Sequence, residues 1–176
     1  LKGTVDFMLT PLLTLLITGF LTFMGLGPIL RTAGEWLGMG LANLYDFAGP
    51  VAGFLFGLVY SPIVITGLHQ SFPPIETMLW NEGGSFVFPI ASMANIAQGG
   101  AALAVYFLAR SEKLKGLAGA SGISALFGIT EPAIFGVNLR LRWPFYIGMA
   151  ASAIASAFIA IFGVLADALG AAGFIG

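Results

Sequence analysis

Four stretches of this chain, 7–30, 47–75, 83–109 and 143–166, contain no Asp, Glu, Lys or Arg. Each is longer than the roughly 20 apolar residues that a helix needs to cross the hydrocarbon core of a bilayer. In hydrocarbon a backbone N–H or C=O without a partner is costly, so runs of this kind fold as helices. The sequence therefore predicts an all-α polytopic membrane protein with about four transmembrane helices. Composition agrees: 58% of the 176 residues are hydrophobic and 9% charged, with mean hydropathy +0.96, whereas soluble domains are about a quarter charged. Seven basic and eight acidic residues give a net charge of −1 without a run of like charge, so no nucleic-acid partner is expected. Cysteine is absent, which excludes disulfides and thiolate metal sites, and no His/Asp cluster has metal-ligand spacing, so neither a metal nor a cofactor is expected. The chain starts at Leu1 without a charged leader and cleavage site, and reads as a piece of a larger membrane domain.

Breakers and charges divide the chain. The first span ends near Gly27, Pro28 and Arg31, and the stretch 35–47 changes character. There Leu37, Leu41, Leu44 and Ala48 share one helical face while Glu35, Asn43 and Asp46 share the other, the pattern of an amphipathic helix lying at the interface. Residues 1–49 thus form a first span plus an interfacial helix, and 50–176 a second region. Pro50 opens a span that tolerates Pro62, runs to about Leu68 and delivers His69 near its end. Pro73, Pro74, Gly83, Gly84 and Pro89 predict a long loop or short hairpin over 70–88. A third span covers 89–109. The last starts after Pro144 and is rich in Ala and Ser, which let helix backbones approach closely.

Arg110, Lys113 and Lys115 precede the stretch 117–139, and Arg140 and Arg142 follow it. Basic residues favour cytoplasmic loops, which places both clusters on one side and makes 117–139 a re-entrant hairpin that enters and leaves by the same face. At its middle stands Thr130-Glu131-Pro132, a carboxylate before a helix breaker. Non-helical backbone at membrane depth survives where it is buried in protein or lines a wet cavity.

Glu131 is the sharpest chemical signal, because an intramembrane carboxylate costs about 2.5 to 3.5 kcal/mol on insertion scales and marks a functional site by default. It can accept from two vicinal sugar hydroxyls, with backbone amides around Gly128 to Thr130 as added donors. The structural alternative is an ion pair with Arg140 or His69 that locks the hairpin. His69, the single histidine, both donates and accepts and closes an apolar span. Asn95 and Gln98, three residues apart on one face of the third span, either line the same cavity or make interhelical hydrogen bonds. Trp80, Trp143, Phe86 and Phe135 suit sugar stacking, or an aromatic belt. Arg140 and Arg142 read as topology markers, and Glu76, Glu82 and Asp167 as solvated loop or helix-end charges. The candidate set is therefore Glu131 as ligand and possible base, with His69, Thr130, Gly128, Asn95 and Gln98 as substrate-binding residues.

The string 128–139, GITEPAIFGVNL, resembles the GITEP signature of permease (IIC) components of the glucose superfamily of bacterial sugar phosphotransferase systems. The segment 67–72, GLHQSF, resembles the family's Gly-[Leu/Val]-His-His motif, with Gln70 in place of the second histidine. The segment 94–101, ANIAQGGA, is similar to a stretch of sucrose-type members. The resemblance implies a multi-pass protein of the bacterial cytoplasmic membrane and a homodimer within the lipid bilayer. It implies a sugar site built on His69 and Glu131. A IIB domain, itself charged through IIA, would phosphorylate the bound sugar from a phosphocysteine that lies outside this chain. Sucrose is the sugar expected, with trehalose, maltose and glucosides as alternatives. Two other classes stay open: an ion-coupled sugar transporter with Glu131 as the proton carrier, and a sugar-sensing membrane protein that binds without transport.

Overall fold

The computed structural model describes residues 2–81, 83–168 and 170–174. Helix α1 (Lys2–Leu21) passes through a wider π turn at Thr22–Leu26 into α2 (Gly27–Ala48) without leaving helical geometry. The sequence places a boundary near Pro28. It produces none, because the π turn directly before Pro28, closed by Gly27 N–H donating to the Thr22 carbonyl, carries the helix past a residue that cannot donate. The amphipathic stretch 35–47 is therefore the second half of one long helix rather than a separate element. Its Tyr45 ring stacks on Phe86, with centroids 4.1 Å apart, and Leu44 remains exposed. The side chains of Arg31, Leu37, Leu41 and Asp46, and the whole of Glu82, lie outside the described residues.

Gly49, at φ 45°, breaks the helix and α3 (Pro50–Thr66) begins on a proline. Gly67, at φ 78°, adopts the left-handed conformation that ends it, one residue before Leu68. A 3₁₀ turn (Leu68–Ser71) then leads into α4 (Phe72–Asn81), and the two arms bend by 102°. This corrects the loop or short hairpin expected over 70–88. Pro73 and Pro74 sit in the first turn of α4, where N–H groups lack intrahelical partners anyway, so they start a helix instead of breaking one. By the same rule Pro89 lies inside the first turn of α5 (Val87–Leu108), which begins two residues before it.

Helix α6 (Glu112–Leu126) starts five residues earlier than the expected hairpin and meets a turn at Phe127 and Gly128, the latter at φ 94°. The chain returns through α7 (Glu131–Ala133), a π turn (Ile134–Asn138) and α8 (Leu139–Leu141). A Cβ on Gly136 would lie 3.7 Å from Leu117, so the arms run back along each other. Ala118, Ala125, Ala133 and Val137 of this hairpin are buried against Ala102 and Val105 of α5. Helix α9 (Trp143–Ile161) is shorter than the run 143–166 because Gly163, at φ 59°, turns the chain out of the helix. Ala166 then pairs with Ser85 through two 2.9 Å backbone hydrogen bonds.

Among the described residues three helices are long and apolar enough to span a bilayer (Leu9–Ile29, Val87–Leu108 and Trp143–Ile161), or four if the bent pair Pro50–Thr66 and Leu68–Asn81 counts as one. The core is built by α3, α5 and α9. Ser152, Ala153 and Ser156 of α9 are fully buried, and a Cβ on Gly53 would lie 2.6 Å from the Ser156 carbonyl oxygen. Lipid tails are as apolar as leucine, so helices associate through such close backbone contacts rather than by expelling water. A Cβ on Gly57 would overlap the Ser156 side chain and stand 2.7 Å from the Ser152 carbonyl oxygen, whereas one on Gly100 meets nothing within 4 Å. Gly57→Val is therefore expected to destabilise the protein in detergent by about 1–3 kcal/mol in thermal denaturation, while Gly100→Ala is neutral or stabilising. A Gly57→Val protein that melts with the wild type would contradict this packing.

Candidate functional site

A buried polar centre emerges, and it is structural. Gln98, 1% exposed on α5, donates from Nε2 to Ser61 Oγ of α3 at 3.0 Å and to the Phe145 carbonyl of α9 at 3.3 Å. Asn138, fully buried in the π turn of the hairpin, donates from Nδ2 to Gln98 Oε1 at 2.7 Å and to the Gln98 carbonyl at 2.9 Å. Gly148 lies beneath the amide, where a Cβ would come within 2.7 Å of Nε2. Asn95 likewise turns inward, donating from Nδ2 to the Ala172 carbonyl at 2.7 Å. Of the two readings of Asn95 and Gln98, the described contacts are those of bonding between protein segments.

The other candidates sit at two breaks in the helices, the α3–α4 bend and the hairpin turn. His69 is half-buried in the 3₁₀ turn, and the carboxylate of Glu131 is close enough to act electrostatically on its ring. Gln70 Nε2 lies 3.3 Å from His69 Nε2. The carboxamide N–H can donate to that ring nitrogen when it carries no proton; the other ring nitrogen is Nδ1. That Nδ1 is buried and has no partner among the described residues.

The hairpin turn is held by its own backbone. Gly128 N–H donates to the Ala125 carbonyl at 3.0 Å and Ile129 N–H to the Ser124 carbonyl at 3.1 Å, while Ser124 Oγ donates to the Ile129 carbonyl at 3.1 Å. Thr130, 4% exposed, precedes α7 and its carbonyl accepts from Ile134 N–H at 2.9 Å. Glu131 begins α7 and is exposed. Among the described residues it makes no ion pair with Arg140, which removes that explanation for the carboxylate. Pro132 follows in the first turn of α7, where a missing N–H costs little.

Sequence reasoning missed three features. Asn138 and Ser61 complete the Gln98 network, and the Asn138 carboxamide inside an apolar run is the signal that could have found it. Glu76, expected to be a solvated charge, is half-buried within α4 and in electrostatic reach of the buried Tyr60. Helix α4 itself was the missing information. The groove along α2 lined by Pro28, Ile29, Thr32, Ala33 and Trp36 is apolar, and neither His69 nor Glu131 lines it.

Residues 1–153 match the model of the phosphotransferase system EIIC family. The chain belongs to this family. It is 58% identical over 98% of its length to the PTS system sucrose-specific EIIBC component of Staphylococcus xylosus, covering 37% of that protein. It is 54% identical over its full length to the sucrose-specific EIIBCA component of Pediococcus pentosaceus, covering 28%, and 47% identical over 93% of its length to the trehalose-specific EIIBC component of Bacillus subtilis, covering 35%. The chain thus spans about a third of the length of the curated relatives it matches. No solved structure matches it. Family and fold together make the chain an integral membrane segment of an EIIC permease.

If Gln98 and Asn138 form one unit, Gln98→Leu should cost about 1–3 kcal/mol by stranding the Asn138 amide. Asn138→Leu should then cost the double variant less than the sum of the two single losses. Strictly additive losses in thermal denaturation would contradict a shared network.

Proposed function

We propose that this chain is the sugar-holding part of a sucrose permease of the phosphotransferase system. What supports the reading is that Glu131 and His69 each stand at a break in otherwise helical chain, Glu131 exposed after the hairpin turn and His69 half-buried in the α3–α4 bend, with the carboxylate acting electrostatically on the ring. Glu131 accepts from sugar hydroxyls, the backbone around Gly128 to Thr130 adds polar contacts, and His69 closes the site from the α3–α4 bend. Asn95 and Gln98 are left out of the contact set, because their donors are spent on Ala172, Ser61 and Phe145.

In this reading a IIB domain, supplied with phosphate through IIA, meets the sugar at the cytoplasmic face. The sugar's hydroxyl oxygen forms a bond to phosphorus as the sulfur–phosphorus bond of the IIB phosphocysteine breaks. The cysteine leaves as thiolate and Glu131 takes the hydroxyl proton, the role of a general base. The hairpin 112–141 is re-entrant, with Arg110, Lys113, Lys115, Arg140 and Arg142 at its open end on the cytoplasmic side, and two copies form a homodimer. Sucrose is preferred because the sucrose-specific relatives are 58% and 54% identical. Trehalose is the second reading, on the relative at 47%.

Glu131→Gln in the full-length protein keeps side-chain size and removes charge. Two charge-assisted hydrogen bonds lost at about 1.5–3 kcal/mol each should weaken sucrose binding by about two to four orders of magnitude. Uptake and phosphorylation should fail while membrane insertion persists. Normal sucrose affinity in a well-inserted variant would overturn the site, trehalose binding alone would favour the second reading, and proton-coupled uptake without IIB would favour an ion-coupled carrier.

A further inference from the structure

Beyond α9 the chain does not run off into solvent but crosses back over the site-bearing elements. Ala166 is bonded to Ser85 at the start of this crossing. At its end Phe174 N–H donates to the Leu126 carbonyl at 2.9 Å, which is the last residue of α6. Between them Asn95 of α5 holds the Ala172 carbonyl at 2.7 Å. Packing is tightest at the hairpin turn. A Cβ on Gly173 would stand 2.5 Å from the Leu126 carbonyl oxygen and 2.9 Å from Gly128 N, and one on Gly128 would stand 3.2 Å from the Ala172 carbonyl oxygen. The two backbones therefore touch with no side chain between them, and Gly173 is buried.

We propose that Asn95 is a positioning residue: by holding the Ala172 carbonyl it seats residues 170–174 against 126–128 and so fixes the turn from which Thr130 and Glu131 reach the sugar. The inference rests on the sugar-site reading above, and adds to it a residue that touches no sugar. The Leu126 carbonyl would otherwise be one of the free acceptors at the end of α6. With Phe174 N–H donating to it, the end of α6 is capped by a segment from 48 residues further along the chain, and Asn95 is the side chain that keeps that segment in place. Misplacing a contact group by about 1 Å can cost about a hundred-fold in a positioned reaction, so a small release of the turn is enough to be read in binding.

The test uses the full-length protein in detergent or proteoliposomes and labelled sucrose, giving both dissociation constant and number of sites. Asn95→Ala is expected to weaken binding about ten- to hundred-fold with the number of sites unchanged, and Gly173→Val to do the same or more. Loss of folded protein lowers the number of sites and leaves the affinity of the rest intact, so that pattern in Asn95→Ala overturns the role. Without sugar, amide hydrogen exchange over 126–130 should quicken in Asn95→Ala. Unchanged exchange overturns the role even if affinity falls, because a residue that contacted sugar directly would behave that way. Glu131→Gln run in parallel separates the two failures. Lost affinity there with none in Asn95→Ala overturns the positioning role alone, and unchanged affinity in Glu131→Gln overturns the sugar site and the role with it.

Discussion

The side-chain amide of Gln98 is the point at which α3, α5, α9 and the hairpin meet. Apolar helix faces in a bilayer gain little from one another that lipid does not also offer. Register has to come from contacts that lipid cannot make. Here these are the glycine and serine approach of α3 to α9 and a carboxamide whose donors and acceptor are met by Ser61, Phe145 and Asn138. Gly148 belongs to the same solution, because any larger residue would displace the amide. Since Asn138 lies in the return arm of the hairpin, the network that sets helix register also sets the arm carrying Glu131.

With that arm anchored, the irregular turn becomes affordable. The N–H groups of 127–129 find partners in the Ser124 and Ala125 carbonyls, and the segment beyond α9 caps Leu126, so much of the bend is held within the protein. Glu131 is then free to face outward, and among the described residues no cation is paired with it. The π turn at Ile134–Asn138 widens the return arm beside Asn138, a distortion often found near functional sites. His69 arrives from the opposite direction by the same means, a left-handed glycine at Gly67 followed by one tight turn.

Much of this was legible in the sequence. Charge-free length gave the helices, the GITEP and Gly-Leu-His-Gln strings gave the family and the two residues proposed for the sugar site, and small residues gave α9 its packing role. What failed was boundary chemistry. Prolines at 73, 74 and 89 look like breakers, yet each falls in a first turn where a missing N–H is harmless, and Pro28 is carried by the π turn before it, so two expected interruptions are helix. The partners of Asn95 and Gln98 were not legible because they lie 37 to 77 residues away and include backbone carbonyls, which carry no residue signature.

The central claim is that Glu131 and His69 grip the same sugar from two bends of one chain. A structure of the full-length protein in lipid with sucrose bound tests it most directly. The account predicts the sugar between the α3–α4 bend and the hairpin turn, with a Glu131 carboxylate oxygen about 2.5–3.0 Å from a sugar hydroxyl and His69 on the other side. Sucrose held elsewhere, with Glu131 turned to solvent or paired with Arg140, would contradict it.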